Sequence, residues 1–239
     1  TIFIINMTFI VAIQLNDSII VAADNQQITQ NEDGNLYADE HEVCKMHFWD
    51  NGIITGTGES YVISRAVTLF KELANLDINK LPDCLDISRK IRELEIGKHH
   101  FQVKNTKLLC SSYSENGAQL YTIQRFDSAE PYSIEAMKPF NIDVWLFYPD
   151  SLNITPELKI LYENLRDYAF FFKDKTAWVN HYINQLLPIF KKQSMIDPCT
   201  SASFDILFQM KNEYIFGHIP NTEATALKFK EISSNFNSI

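Results

Sequence analysis

The sequence contains no long hydrophobic run and no block of basic residues. No apolar stretch reaches the about 18 residues that a membrane-spanning helix requires, so no transmembrane segment is expected. Lysine and arginine never occur in a run longer than two, and the formal net charge of the 239 residues is −9. Because attraction to phosphate requires clustered cations, we expect neither nucleic acid nor an anionic membrane as a partner.

Cysteine is scarce, and the chain contains no Cys-x-x-Cys motif. The four cysteines are widely spaced, at positions 44, 84, 110 and 199. This usage predicts reduced, buried thiols in a cytoplasmic protein and argues against a disulfide framework or a zinc site. The six histidines also lack the spacing of metal ligands, so we expect no metal and no cofactor.

The most informative stretch runs from Thr8 to Asp24. Two runs rich in isoleucine and valine flank Asn16-Asp17-Ser18, which predicts a β-hairpin that is buried on both faces. With a three-residue loop, Leu15 lies opposite Ile19, and Thr8 and Asp24 become diagonal neighbours on one face. A two-residue loop would shift the register by one and place Thr8 and Asp24 on opposite faces.

The remaining signals describe one globular domain of the α+β class, because no repeat or linker interrupts the sequence. The polar residues 25–41 predict a loop over the hairpin's open end. Strands are predicted at 42–49, 52–57, 107–113, 118–125, 131–137, 141–148, 203–209 and 213–218. Helices are predicted at 59–76 with Ser60 as a possible N-cap, at 85–94, at 156–172, at 175–192, which Pro188 should shorten or kink, and as a short closing helix. This order favours a four-layer αββα sandwich, in which helices cover two stacked sheets.

The opening of the chain resembles that of proteasome β-type subunits, the threonine branch of the N-terminal-nucleophile (Ntn) hydrolases. In that family a threonine begins the mature chain and an aspartate follows sixteen residues later, as Asp24 follows Thr8 here. The family's lysine on the next strand resembles Lys45, and its small-residue strand end resembles the stretch around Gly56. The resemblance covers the first third of the chain best and implies the same αββα fold.

The resemblance also implies a mechanism. Thr8 would be the nucleophile, and its own free α-amino group would be the general base. Lys45 would lower the pKa of that amine, Asp24 would orient Lys45, and the Gly56 N–H would stabilise the oxyanion. The substrate would be a peptide or a small amide. Residues 1–7 would be an extension or propeptide-like segment before a single domain at 8–239, and the chain would form a homo-oligomer, either a ring or a dimer.

Several residues depart from the family pattern, so alternatives stay open. Seven residues precede Thr8, although removal of an initiator methionine at position 7 would expose it. Gln26 stands where the family has a basic residue, residues 148–151 replace a Ser-Gly-Ser turn, and Asp167 and Asp174 fit the second supporting aspartate poorly. The alternatives are an inactive proteasome-like subunit with a structural or binding function, and an Ntn amidase that acts on a small non-peptide amide.

Overall fold

The protein is a mixed α+β structure with antiparallel sheets. The computed structural model describes residues 3–6, 8–31, 35–114, 117–127, 129–146, 152–211, 213–221 and 232–234. The strands are β1 (Phe3–Asn6), β2 (Ile10–Gln14), β3 (Ile19–Asp24), β4 (Gln26–Gln30), β5 (Leu36–Glu42), β6 (His47–Trp49), β7 (Gly52–Glu59), β8 (Lys107–Ser114), β9 (Gly117–Gln124), β10 (Ser133–Ala136), β11 (Asn141–Trp145), β12 (Phe204–Gln209), β13 (Tyr214–Ile219) and β14 (Ile232–Ser234). The helices are α1 (Ser60–Glu72), α2 (Leu81–Ile96), α3 (Phe101–Lys104), α4 (Thr155–Glu163), α5 (Tyr168–Phe171) and α6 (Lys175–Ile196).

Within the described ranges, the strands form two sheets. The first sheet has the order β10-β9-β8-β7-β1-β4-β5, with β6 paired to β7. The second sheet has the order β11-β2-β3-β12-β13-β14. The two halves of the Thr8–Asp24 hairpin are therefore neighbours in the middle of the second sheet. The strands predicted between positions 107 and 148 and between 203 and 218 are confirmed as β8 to β13, with small changes at their ends.

Three hydrophobic clusters hold these elements together. One joins a face of the second sheet to α4 and α6. Another joins β7, β8 and β9 of the first sheet to α1 and α2. The third contains side chains from both sheets, among them Ile10 and Val21 from the second sheet and Ile53 and Leu109 from the first. The hairpin is buried on both faces, as the sequence predicted, because its alternate residues belong to different clusters.

The register of the β2–β3 hairpin differs from the predicted one. Ile10 lies opposite Ala23, and the Leu15 N–H donates to the Ser18 carbonyl at 2.9 Å, so the loop has two residues and not three. The predicted diagonal pairing of Thr8 with Asp24 is therefore wrong. The shorter loop is accompanied by a tertiary contact that the local sequence does not reveal. The Asp17 carbonyl in the loop accepts a hydrogen bond from the Ala118 N–H of β9 at 3.3 Å.

Residues 25–41 are not a loop over the hairpin. They contain β4 and β5, which pair with each other, and β4 also pairs with β1. The prediction failed because these strands are polar. Among the four β4 residues whose burial is described, 26–29, Ile28 is the one that is buried. The strand predicted at 42–49 is shortened to β6, and its turn at Asp50-Asn51-Gly52 is confirmed by the pairing of Trp49 with Gly52.

The helices follow the predicted order with different ends. Glu59, and not Ser60, caps α1, because its carboxylate accepts a hydrogen bond from the Val62 N–H at 2.9 Å. The helix predicted at 156–172 is divided into α4 and α5, and α6 continues through Pro188. The described part of the closing segment is strand β14. The rest of the predicted closing helix and residues 148–151 lie outside the described residues.

Candidate active site

Asp24 is the centre of the candidate site. It is the last residue of β3 and is fully buried. Its Oδ1 accepts hydrogen bonds from the Phe9 N–H at 2.8 Å and the Lys45 Nζ at 3.0 Å. Its Oδ2 accepts from the N–H groups of Gln26 at 3.0 Å and Ser201 at 3.4 Å. Four N–H donors from four separate segments therefore fix this carboxylate in one position.

Burial and charge act in opposite directions on this carboxyl group. Complete burial raises the pKa of Asp24 above its ordinary value, because removal of water disfavours the ionised form. The Lys45 ammonium opposes this effect most strongly, and the hydrogen bonds from Lys45, Phe9 and Gln26 act in the same direction as the ammonium. Lys45 is thus the main group that favours the ionised form of Asp24 against the effect of burial.

Lys45 is buried and meets the carboxylate directly. Its side chain is 1% exposed, so it does not extend to solvent. It lies in the irregular connection between β5 and β6, and the prediction that it occupies a strand is wrong. Its carbonyl accepts a hydrogen bond from the Thr55 Oγ1 of β7 at 2.8 Å, which ties this connection to the first sheet. The Asp24–Lys45 pair therefore joins the two sheets.

Thr8 is connected to this pair through Phe9, the next residue in the chain. It is fully buried between β1 and β2, and the next residue, Phe9, donates its N–H to the same Asp24 oxygen that Lys45 contacts. Among the described residues, the Thr8 Oγ1 has no hydrogen-bond partner. A buried hydroxyl without a partner loses its hydration without compensation, so it needs an explanation beyond strand packing.

Gly56 lies within β7 opposite Leu108, and the strand continues beyond it to Glu59. A Cβ atom at this position would lie 2.5 Å from the Lys107 carbonyl oxygen and 2.8 Å from the Leu108 Cδ2. Close packing of β7 on β8 therefore accounts for the glycine. Strands β1 and β7 are antiparallel, with Asn6 opposite Gly58. Thr8 follows Asn6 by two positions and Gly56 precedes Gly58 by two, so Thr8 and Gly56 belong to neighbouring parts of the fold. The oxyanion function of the Gly56 N–H stays a prediction.

A turn that follows α6 completes the surroundings of Asp24. Besides the Ser201 N–H that reaches Asp24, the Ser201 Oγ accepts a hydrogen bond from the Asn25 N–H at 3.0 Å. Asp197 shapes the turn by accepting from the Cys199 N–H at 2.9 Å and the Thr200 hydroxyl at 3.1 Å. Burial raises the pKa of the Cys199 thiol to about 11. This turn was not predicted from the sequence, although Asp197-Pro198 after a predicted helix is a turn signal.

The two aspartates that fitted the family pattern poorly have other positions. Asp167 is buried at the closed end of the β2–β3 hairpin, where it accepts hydrogen bonds from the N–H of Asn16 at 3.0 Å and its Nδ2 at 2.8 Å. Asp174 caps α6 by accepting from the Ala177 N–H at 2.8 Å. Asp167 stabilises the end of the hairpin opposite Asp24, and Asp174 starts a helix.

The candidate site thus combines a buried hydroxyl, an ammonium–carboxylate pair and a serine-containing turn. No protein-family model matches this chain, and no curated protein matches it either. Over the ranges that the structure describes, no group of three or more His, Cys, Asp or Glu side chains is arranged to hold a metal ion. In the same ranges, no helix has the length and apolar character to cross a membrane.

Proposed function

We propose that this chain is a threonine-type N-terminal-nucleophile amide hydrolase of the proteasome-like type, with the four-layer αββα fold of that class. The three hydrophobic clusters support four layers, because one lies between helices and the second sheet, one between the sheets, and one between the first sheet and α1 and α2. The observation that carries the function is the buried Asp24–Lys45 pair. The Asp24 Oδ1 that contacts the Lys45 ammonium also accepts a hydrogen bond from the N–H of Phe9, the residue that follows Thr8.

The proposed chemistry requires Thr8 to be the first residue of the active chain. With residues 1–7 attached, the Thr8 nitrogen belongs to a peptide bond and cannot accept a proton. Once it is a primary amine, its ordinary pKa near 8 suits a general base at neutral pH, and the neighbouring Lys45 ammonium favours its neutral form. The amine then takes the proton of the Thr8 hydroxyl, and the hydroxyl oxygen attacks the substrate carbonyl. The amide C–N bond breaks, the proton passes to the departing amine, and an acyl-enzyme remains. Water then hydrolyses this ester and releases the acid and the free Thr8 hydroxyl. The Gly56 N–H is the proposed oxyanion donor.

Strand β1 supports a peptide as the substrate. It lies between β4 and β7, with Ile5 opposite Ile28 on one side and Glu59 on the other. Removal of the segment before Thr8 leaves the backbone N–H and C=O groups of both neighbouring strands without their partner. An extended peptide satisfies such groups by adding as a strand, whereas a small non-peptide amide does not. We therefore propose a peptidase.

The same strand favours the alternative of a catalytically inactive subunit. Strand β1 pairs on both sides with the first sheet, and Thr8 is fully buried. If the mature chain keeps residues 1–7, Thr8 has no free α-amino group, and β1 occupies the position between β4 and β7 that a peptide substrate would take. The protein would then have a structural or binding function.

We expect the chain that begins at Thr8 to hydrolyse fluorogenic peptide amides and the chain that begins at Thr1 not to hydrolyse them. The first form is prepared by cleavage of an N-terminal fusion, and mass spectrometry verifies its first residue. Both forms are assayed with the same peptide library and with small amides such as acylated anilines.

Three results are informative here. Turnover of peptides by the Thr8 form alone agrees with the proposal, and turnover of small amides alone indicates the non-peptide amidase. A folded Thr8 form that hydrolyses neither class contradicts the hydrolase and favours the inactive subunit. As a control, a chain that begins at Phe9 retains the domain but lacks both the hydroxyl and the amine of Thr8.

A further inference from the structure

A cavity of about 400 Å³ opens at one end of the first sheet, where β7 ends and β8 begins. Its lining includes Thr57 and Gly58 of β7, Lys104 of α3, Lys107 of β8 and Arg125, which follows β9. We call this cavity the β7–α3 pocket. None of its lining residues belongs to the Asp24–Lys45 pair.

The β7–α3 pocket is positively charged in an acidic protein. Its described lining contains three cations, Lys104, Lys107 and Arg125, and one carboxylate, Asp127. The whole chain has a net charge of −9, so this local excess runs against the overall composition. Cations that converge on a concave surface raise the local concentration of anions.

Two of the cations are held in place by aromatic rings. The Lys107 Nζ lies 4.3 Å from the centroid of the Trp145 ring, and the Arg125 Cζ lies 5.1 Å from that of Tyr132. The Arg125 Nη2 also donates to the Lys104 carbonyl at 3.0 Å. Partial burial lowers the pKa of Lys107, because its ammonium has lost part of its hydration, and the Asp143 carboxylate opposes this effect only in part. An anion in the pocket would replace that hydration, and the fixed guanidinium would not have to be ordered on binding.

The pocket lies at the same end of the two sheets as Thr8. Gly58 lines the pocket and pairs with Asn6 of β1, which precedes Thr8 by two residues. On the second sheet, Trp145 lies opposite Ile10, which follows Thr8 by two residues. Strand pairings in both sheets thus connect the pocket with the chain on either side of Thr8, because Gly58 lines the pocket and Trp145 contacts its Lys107.

We infer that the β7–α3 pocket binds an anionic group, a carboxylate or a phosphate, on the molecule that the Thr8 site acts upon. The link to Thr8 rests on the proposed function, whereas anion binding by the pocket does not. The inference adds a substrate class to the proposed activity, namely peptides that carry an acidic side chain, a terminal carboxylate or a phosphate near the cleaved bond.

Calorimetric titration of the full chain with three probes tests the anion site. N-acetylglutamate and inorganic phosphate represent the two anions, and N-acetylglutamine is the neutral match of the first. We expect one-site binding of at least one anion, weaker at high salt, and no measurable binding of the neutral amide. Lys104→Gln removes an exposed cation and should weaken binding about tenfold, as loss of a charge-assisted hydrogen bond does. Lys98→Gln, an exposed lysine outside the pocket, is the matched control and should bind like the wild type.

The outcomes separate this inference from the proposed function. Binding of glutamate alone identifies a carboxylate site, binding of phosphate alone identifies a phosphate site, and both results agree with the inference. Equal binding of anion and neutral amide, or equal effects of Lys104→Gln and Lys98→Gln, overturns it. Anion binding by a Thr8-initiated chain that has no turnover contradicts the proposed function and leaves the pocket intact. Turnover without preference for Glu-containing over Gln-containing peptides contradicts the link between the pocket and Thr8.

Discussion

Replacement of Thr8 by alanine in a chain that begins at this residue should abolish turnover and leave the fold intact. The hydroxyl is the only proposed nucleophile, and the loss of a covalent nucleophile lowers kcat by at least about 10⁴-fold in related chemistry. The free energy of unfolding should change by less than about 1 kcal/mol, because the Thr8 Oγ1 has no hydrogen-bond partner among the described residues. Peptide hydrolysis and urea unfolding measure the two quantities on the same preparation.

Thr8→Ser is the matched control for this experiment. It keeps the hydroxyl and the amine and should retain part of the activity, while Thr8→Ala retains none. If Thr8→Ala hydrolyses peptides at the wild-type rate, another group is the nucleophile. If Thr8→Ala destabilises the fold by several kcal/mol, the hydroxyl has a structural function that the contacts of Thr8 do not explain.

Lys45→Met should destabilise the fold strongly, and the loss should depend on pH. The substitution leaves the Asp24 carboxylate buried without its counter-ion, and removal of one partner of a buried ion pair costs about 3–5 kcal/mol. Burial already raises the pKa of Asp24 above 3.8, and removal of the ammonium that opposes burial raises it further. A carboxyl group with a raised pKa in the folded state contributes its full stability below the unfolded pKa and loses it as pH rises. The deficit relative to the wild type should therefore be small near pH 4 and large at pH 7.

Urea unfolding at both pH values measures this deficit. The double variant Asp24→Asn with Lys45→Met buries no charge and should recover much of the stability at pH 7, which makes a double-mutant cycle informative. Lys98→Met, at an exposed position, should change stability by no more than about 0.5 kcal/mol. A deficit that is equal at pH 4 and pH 7 contradicts the assignment of the cost to an unpaired Asp24 carboxylate.

The contact of Asp24 with Lys45 illustrates what the sequence makes predictable. A lysine among apolar residues either extends its ammonium to solvent or meets a carboxylate, and the residues alone leave both possibilities open. The resemblance to the Ntn hydrolases identified Asp24 as the partner of Lys45, and the two side chains do form an ion pair. The register that places Asp24 opposite the Thr8 end of β2 was not predictable. It depends on whether the β2–β3 loop has two residues or three, and contacts of that loop with β9 and with Asp167, distant in sequence, accompany the shorter form.

Strands β4 and β5 and helix α6 also differ from the prediction because of contacts with residues distant in sequence. The polar segments of β4 and β5 contain too few apolar residues for an alternating pattern, and they become strands by pairing with each other and with β1. Pro188 predicts a shortened or kinked helix, since proline removes a backbone hydrogen bond, but α6 extends past it to Ile196. The helix continues because its following residues are buried, with the Phe190 ring 4.2 Å from Phe204 and 4.7 Å from Phe9. In both cases tertiary contacts decide the local structure.

The most direct test of the proposed function is the reaction of Thr8 with a β-lactone. The lactone is opened by the hydroxyl that acts as nucleophile, so the protein gains the whole mass of the reagent as an ester. The account predicts a single adduct on the N-terminal peptide of a chain shown to begin at Thr8, and no adduct on the corresponding Thr8→Ala chain. A folded chain that begins at Thr8 and forms no adduct on that peptide would contradict the assignment of Thr8 as the nucleophile.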